Sequence, residues 1–306
     1  MTTSWRVLAT LALAGGLAVA VASAAVAAQP WPDALTGKMQ QIKTAGVVKL
    51  GYRENAIPFS YLGSDNRPVG YSLDICHAIV AKIAEEVDEP TLGVEYVRVT
   101  AQNRFQRVVD GALDLECGST TSTAERRAQV AFSPVIFVTG TRLAVPLASR
   151  VRSVDDLRAR AVAVVRGTTN ETAMHEVDRL RGLSMKFVTT EDYRDALALV
   201  EAGKADALAA DEILLRGLLA ETGRAGAFRI VGEMLSFEPY GIMYARGDPG
   251  LAEAVEAAMR SLAESREIVW LYNRWFVQPL PSGQRLDLPM NDQLRRSLEL
   301  IGLPPD

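Results

Sequence analysis

Two cysteines and two histidines are all that 306 residues offer in the way of thiolate and imidazole metal ligands. His77 and His175 stand far apart and no Cys/His cluster forms, so neither a structural zinc nor a catalytic metal is expected. Nothing calls for another cofactor. Lysine and arginine never run together for long, and basic residues do not interleave with aromatics, which removes nucleic acid as an expected partner. A formal charge of -4 is too small to select a partner by itself. After residue 28 no stretch is apolar for long enough to cross a bilayer, which takes about 20 residues. Long-period repeats and low-complexity segments are absent too.

What is present begins with the N-terminus. Arg6 precedes an apolar run at 7–21, and Ala-Ser-Ala-Ala-Val-Ala-Ala28 supplies small residues suited to cleavage near Ala27 or Ala28. Residues 1–28 therefore read as a secretory signal peptide. A membrane anchor needs a longer run, and a lipid anchor needs a cysteine after it; the chain has neither. Export permits a disulfide between Cys76 and Cys117. Two buried thiols packing as small hydrophobes are the alternative, and the sequence leaves both open. The remaining composition, 48% hydrophobic and 23% charged, is that of a globular chain long enough for two lobes.

One stretch organises the rest: Asp114-Leu-Glu-Cys-Gly-Ser-Thr-Thr-Ser-Thr-Ala-Glu-Arg-Arg127. It starts as a buried strand at 112–116, breaks at Gly118 and offers four hydroxyls, Ser119, Thr120, Thr121 and Ser122. A short helix with Glu125, Arg126 and Arg127 follows. Hydroxyls and unpaired N–H groups at a strand-to-helix junction suit an anion, and an arginine one turn later can grip a carboxylate with its planar fork. Taken alone, a helix cap followed by surface arginines explains the same residues.

Around that stretch, strands alternate with helices. Strands are predicted at 47–51, 94–99 and 112–116, with helices beyond Asp74 and at 102–109, and with 52–61 as a loop. A second unit has strands at 161–165, 185–188 and 205–210, and helices through Arg179, at 192–202 and from Asp211. Its Gly167-Thr-Thr-Asn170 repeats the glycine-plus-hydroxyl cap. Segments 135–145, 228–231 and 239–245 are extended, and helices at 250–264, 268–276 and near 294–301 end the chain. Such alternation implies α/β units with largely parallel sheets, whose ligands bind beyond the carboxyl ends of the strands.

The ordered set Gly51-Tyr-Arg-Glu-Asn-Ala-Ile-Pro-Phe-Ser-Tyr61, Gly70-Tyr-Ser-Leu-Asp74, Glu116-Cys-Gly-Ser-Thr-Thr121 with Glu125-Arg126, Gly140-Thr-Arg-Leu143, Gly167-Thr-Thr169, Tyr240-Gly241 and Trp275-Phe276 resembles the periplasmic amino-acid-binding proteins of ABC importers. The resemblance is nearest to their glutamate/aspartate-binding branch and covers about 42–281. It implies the two-lobed, type II periplasmic-binding-protein fold, with a ligand cleft between lobes joined by crossover strands near 140–146 and 240–246. Lobe 1 would comprise 29–140 and 243–306, and lobe 2 would comprise 141–242. The resemblance also implies a periplasmic, monomeric protein that is not an enzyme and delivers its ligand to an inner-membrane permease.

Carried over by position, the family pattern gives Arg126 the ligand's α-carboxylate, helped by the Thr121 hydroxyl and the Thr169 cap. Ser119 and Asp211 would receive the α-ammonium, and Arg53 and Arg104 would face the side chain. Asp211 also reads as a helix cap, Phe59 and Tyr61 as packing residues, and Glu116 stays outside the predicted site. Tyr193 departs from the pattern, because the branch implies a histidine against the distal carboxylate there. Tyrosine keeps a hydrogen bond but adds no positive charge at neutral pH, which leaves glutamine and asparagine as alternative ligands. An enzyme resembling cyclohexadienyl dehydratase is the competing function; Glu116 or Glu171 would supply its general acid, but no carboxylate pair or nucleophile–base arrangement accompanies them.

Overall fold

The computed structural model describes Met1 and residues 35–305, so the expected signal peptide at 1–28 lies outside the described residues. Helix α1 (Gly37–Ala45) leads into β1 (Val47–Tyr52), short strands β2 (Asn55–Ala56), β3 (Ser60–Leu62) and β4 (Pro68–Val69), α2 (Tyr71–Glu86), β5 (Gly93–Arg98), α3 (Arg104–Val109), β6 (Leu115–Glu116), α4 (Ala124–Arg127) and β7 (Ala131–Phe132). Strand β8 (Phe137–Thr139) runs directly into β9 (Thr141–Pro146). After a 3-10 turn at Val154–Leu157 come β10 (Ala161–Val165), α5 (Thr169–Arg181), β11 (Lys186–Thr190), α6 (Tyr193–Glu201), β12 (Ala207–Asp211), α7 (Glu212–Glu221) and β13 (Phe228–Val231). Strands β14 (Glu238–Tyr240) and β15 (Met243–Tyr244) return, and α8 (Pro249–Glu264), α9 (Glu267–Phe276) and α10 (Asp292–Glu299) close the chain.

Two five-stranded sheets result, ordered β5-β1-β6-β15-β7 and β11-β10-β12-β9-β13. Each is parallel where strands alternate with helices, as in the Leu50–Leu115 and Val162–Ala207 registers. Each is antiparallel where the chain arrives from the other sheet: β9 opposes β12, and β15 opposes both β6 and β7. A strand entering from the carboxyl ends of the parallel strands must run against them. The sheets are therefore mixed, not largely parallel as alternation alone implies.

Between the sheets lies a two-stranded ladder, β8 with β14, in which Glu238 faces Thr139 and Tyr240 faces Phe137. The crossing thus falls at 137–139 and 238–240, a few residues before the expected 140–146 and 240–246. Residues 52–61 are also more ordered than a loop, because β2, β3 and β4 form a small antiparallel sheet. Strands of two or three residues are too short to leave an alternation in the sequence.

Aromatic packing fixes the ladder. Phe59 lies 5.0 Å from both Phe137 and Tyr240, Phe137 lies 4.8 Å from Phe276, and Tyr272 lies 4.5 Å from Phe276. Such pairs are worth about 0.5–1.5 kcal/mol each beyond their buried area. They join both crossing strands to the β2–β3 segment and to α9. Trp275 Nε1 donates to Asp74 Oδ2 at 2.6 Å, bringing motifs from opposite ends of the chain together. Helix α2 turns Ile75, Ile79 and Ile83 inward, all fully buried, and packs on α8 and α9. Its entry needs Gly70, whose φ of 144° and contact with the Phe59 carbonyl leave no space for a side chain. No helix among the described residues is long and apolar enough to cross a membrane.

Cys76 of α2 and Cys117, just past β6, form a disulfide with their Cα atoms 6.2 Å apart. Of the two readings open in the sequence, the structure takes the bonded one. The bridge spans a sequence separation of 41 and on loop-closure grounds contributes about 2–4 kcal/mol. Protein denatured without reductant is expected to leave both thiols unlabelled by a maleimide. Replacing both cysteines by alanine should lower the urea midpoint by the corresponding amount; two reactive thiols in the oxidised protein would contradict the assignment.

Candidate functional site

The stretch after β6 is held in place before any ligand contact is considered. Cys117 is bonded to α2, Ser72 Oγ donates to the Gly118 carbonyl at 2.8 Å, and Gly241 N donates to the Thr120 carbonyl at 3.1 Å. Ser122 N donates to the Pro239 carbonyl at 2.8 Å, so the loop is bonded to the β14 strand. The cap of α4 is Thr123, whose hydroxyl accepts from Arg126 N at 3.2 Å. The simpler sequence reading holds in that a threonine caps α4, but the hydroxyls of 119–122 are not spent on capping, and all four residues are buried.

Arg126 Nη1 donates to the Thr121 carbonyl at 3.0 Å, and its guanidinium lies 4.9 Å from the Phe105 ring centroid. Burial, then the charge of Arg104, pushes its pKa down to about 10. Arg104, at the start of α3, donates through Nη1 to Thr120 Oγ1 at 2.6 Å, and Thr120 donates in turn to Glu116 Oε2 at 2.6 Å. Arg104 Nε and Glu116 Oε1 are buried without a hydrogen-bond partner. Arg53 follows β1, is 3% exposed, and makes no guanidinium hydrogen bond among the described residues. Burial lowers its pKa, Arg104 lowers it further, and Tyr193 and Glu116 oppose that shift. A buried cation with idle donors calls for an anion that the protein itself does not supply.

From the second sheet come Thr169, Tyr193 and Asp211. Thr168 caps α5 by accepting from Glu171 N at 3.2 Å, and Thr169, the first helical residue, donates its hydroxyl to Glu238 Oε2 at 2.6 Å. Thr121 Oγ1 donates to the same oxygen at 2.6 Å. Asp211 ends β12 but does not cap α7 with its side chain, which corrects that expectation. Its carboxylate instead accepts from Asn170 Nδ2 at 2.9 Å and from the Tyr240 hydroxyl. Burial, followed by the charge of Glu238, pushes the Asp211 pKa up to about 7. Tyr193 is buried, and its phenol is pushed up to about 12, chiefly by burial; it is a neutral hydrogen-bonding group.

The structure thus brings Arg53, Arg104, Thr121, Arg126, Thr169, Tyr193 and Asp211 into one region between the sheets, with Arg126 and Thr169 half-buried and the rest buried, while Ser119 is buried in the adjoining loop. Sequence reasoning missed Glu116, Thr120, Asn170, Glu238 and Tyr240, which connect those residues. Glu116 and Thr120 stand in the Glu116–Thr121 motif, Asn170 in the second glycine-plus-hydroxyl turn and Tyr240 in its Tyr-Gly pair, so only Glu238 had no sequence signal. Glu238 acts across the 117 residues that separate it from Thr121. Glu171 of the competing reading accepts from Gly167 N at 2.9 Å and serves the start of α5.

The two lobes meet on both rims of this region. On one rim Gln102 Nε2 donates to the carbonyls of Arg166, at 2.9 Å, and Glu191, at 3.3 Å. On the other, Gly217 of α7 abuts Ile57 so closely that a Cβ would overlap the Ile57 carbonyl oxygen. Glycine inside a helix is unfavourable by about 1 kcal/mol relative to alanine, and this contact is what occupies its position. The lobes are closed over the buried polar groups.

Comparison with known proteins agrees with this geometry. Residues 48–278 match the profile of bacterial extracellular solute-binding proteins, family 3. The L-glutamate/L-aspartate-binding protein of Pseudomonas aeruginosa is 36% identical over 292 residues, covering 95% of this chain and 96% of that protein. Among solved structures, a mutant of ArgBP from T. maritima superimposes with a TM-score of 0.69 at 26% identity, over 78% of this chain and 99% of that one. The ancestral amino acid-binding protein AncCDT-1, a precursor of cyclohexadienyl dehydratase, gives a TM-score of 0.66 at 25% identity, over 78% and 99%. With its profile match, its near full-length relative and its closed two-lobed fold, the chain belongs to the family 3 bacterial extracellular solute-binding proteins.

Proposed function

We propose that this protein captures an acidic L-amino acid, glutamate or aspartate, in the periplasm and hands it to the inner-membrane permease of an ABC importer. In this reading residues 1–28 direct export, 29–140 and 243–306 form lobe 1, and 141–242 form lobe 2. The protein acts as a monomer that closes on its ligand. The observation that carries the reading is a set of three arginines in the closed cleft, Arg53 and Arg104 buried and Arg126 half-buried; among the described residues the Arg53 guanidinium has no hydrogen-bonded partner and Arg104 Nε is idle. A zwitterion needs one cationic fork and one carboxylate. The two further cations suit a second carboxylate.

Arg126 takes the α-carboxylate, with the backbone N–H of Thr169 at the start of α5, where the first helical amides have no partner within the helix. The Thr121 and Thr169 hydroxyls already donate to Glu238, so they are not the donors for this carboxylate. Ser119 and Asp211 receive the α-ammonium. Arg53, Arg104 and Tyr193 face the side chain.

The two arginine sets should fail differently. Removing one partner of a buried charge pair costs on the order of 2–5 kcal/mol, roughly 30- to several-thousand-fold in affinity. Arg126→Ala is expected to abolish glutamate and aspartate binding alike in titration calorimetry. Arg53→Ala and Arg104→Ala should weaken both acidic ligands strongly while costing glutamine far less. Wild type preferring glutamine, or Arg53→Ala leaving glutamate affinity within about twofold, would overturn the acidic assignment.

Asp211 ties capture to pH. Its folded-state pKa, about 7 against an ordinary 3.8, means that the ligand-free protein holds a proton which the unfolded chain has lost. Ligand-free stability should therefore fall as pH rises from about 4 to about 7. An α-ammonium favours the ionised carboxylate, so binding at pH 6 should release close to one proton. Affinity should rise with pH up to about 7 and then level off. Calorimetry at pH 6 in buffers of different ionisation enthalpy measures the release; none at all would remove Asp211 as the ammonium partner.

A second reading is favoured by one feature: Asp211 is a buried carboxyl in the cleft whose pKa burial pushes up to about 7, which suits a general acid. The structural relative that preceded cyclohexadienyl dehydratase gives it a precedent. Purified protein incubated with prephenate is expected to yield no product; steady release of an aromatic product would establish the enzyme.

A further inference from the structure

We propose that Glu238 is a positioning residue that latches the cleft from behind the ligand, one of its oxygens receiving a hydroxyl from each lobe. The inference deepens the reading of a closing binder and rests on it. Glu238 is 2% exposed and opens β14, one of the two strands that cross between the sheets. Its Oε1 accepts from Ser236 Oγ at 2.6 Å, and Ser236 Oγ lies 2.7 Å from Thr141 Oγ1 at the start of β9. Its Oε2 accepts from Thr121 Oγ1 and Thr169 Oγ1, both at 2.6 Å, and these two hydroxyls are 3.4 Å apart.

The two threonines belong to different moving parts. Thr121 is bonded to the crossing strand itself, through its bridge with Tyr240 and through Ser122 N to the Pro239 carbonyl at 2.8 Å. Thr169 opens α5 and travels with β10 and the second sheet. Thr121 and Thr169 therefore reach the same oxygen of Glu238 together only while the lobes are closed, and separation about the β8–β14 ladder must break one of the two bonds. The joint contact exists only in the closed state, and a contact made in one state alone shifts the equilibrium toward that state. The Tyr240–Asp211 bond likewise joins the crossing strand to the second sheet, whereas Arg104, Thr120 and Glu116 all lie on the first lobe. Thr169 also faces the ligand through its N–H on the proposed reading, so ligand and latch order the same residue from opposite sides.

A latch acts on escape, not on encounter. In stopped-flow kinetics with L-glutamate, Glu238→Ala is expected to speed dissociation by about tenfold or more, the scale of a hydrogen bond to a charged group, with association within about twofold of wild type. Glu238→Gln should stay within about threefold of wild type, because one amide oxygen still accepts both hydroxyls and the amide NH2 can meet Ser236. Thr169→Val should accelerate dissociation like Glu238→Ala, and the double variant Glu238→Ala/Thr169→Val should be no faster than either alone, as groups joined in one interaction are non-additive. Thermal melting verifies that each variant folds; should Glu238→Ala not fold, Thr169→Val paired with Glu238→Gln carries the same comparison. Unchanged dissociation, an equal loss in the glutamine variant, or additive single effects would overturn the latch. A wild type that binds no acidic amino acid would sink the functional reading and the latch with it. Normal glutamate binding with unaltered release in the variants would sink the latch alone.

Discussion

The desolvation of three guanidinium groups in one closed cleft is the constraint on which the rest of the site depends. Burial lowers the pKa of Arg53 and takes that of Arg126 down to about 10, and in both the charge of Arg104 adds to the effect. A buried charge is tolerated only with charged or hydrogen-bonded company. The site supplies three carboxyl groups, Glu116, Asp211 and Glu238, all buried. None of them is set directly against an arginine. Glu116 reaches Arg104 through Thr120, and Glu238 is surrounded by hydroxyls. Neutral intermediaries leave the guanidinium donors of Arg53 and Arg104 available, where direct salt bridges would have consumed them.

That arrangement requires residues from distant parts of the chain to be held within hydrogen-bond tolerances, and the crossing ladder provides the rigidity. Phe59, Phe137, Tyr240, Tyr272 and Phe276 form a contiguous aromatic group around β8 and β14. Tyr240 belongs to both systems: its ring packs against Phe59 and its hydroxyl donates to Asp211. The disulfide from Cys117 to α2 and the Ser72–Gly118 hydrogen bond hold the loop on the other side. Rigid elements flank the cleft, while the ladder that joins them is only two strands wide, which is the distribution of stiffness that a hinge needs.

Much of this was legible in the sequence, and the boundary between what was and was not has a physical basis. Alternating strands and helices, the glycine-plus-hydroxyl turns at 118–122 and 167–169, and the positions of Arg53, Arg104 and Arg126 all leave local signatures. The three-stranded β2–β3–β4 sheet did not, because its strands are shorter than one full alternation. The antiparallel half of each sheet follows from where the chain crosses, which no local pattern records. The resemblance gives the Thr121 hydroxyl and the Thr169 cap to the ligand, and in the structure both hydroxyls donate to Glu238. A hydroxyl's partner is fixed by the fold and not by its neighbours in sequence. Asp211 looks like a helix cap for the same reason, since its position is the N-cap even though its carboxylate turns toward Asn170 and Tyr240.

Tyr193 brings the electrostatics and the specificity together. On the proposed reading it stands where the glutamate/aspartate branch implies a histidine, and its phenol, pushed up to about 12, stays neutral. A protonated histidine would add a fourth cation to a region already holding three, with Arg53 and Arg104 lowering the Tyr193 pKa by their own proximity. On that reading charge recognition of a distal carboxylate falls on Arg53 and Arg104, and Tyr193 contributes direction through one hydrogen bond. Two cations without a third make the pocket tolerant of where the carboxylate sits, because guanidinium groups offer several donors each. On the proposed reading, charge recognition is the work of the first lobe's arginines, while the Gln102 and Gly217 contacts on the two rims hold the second lobe closed upon it.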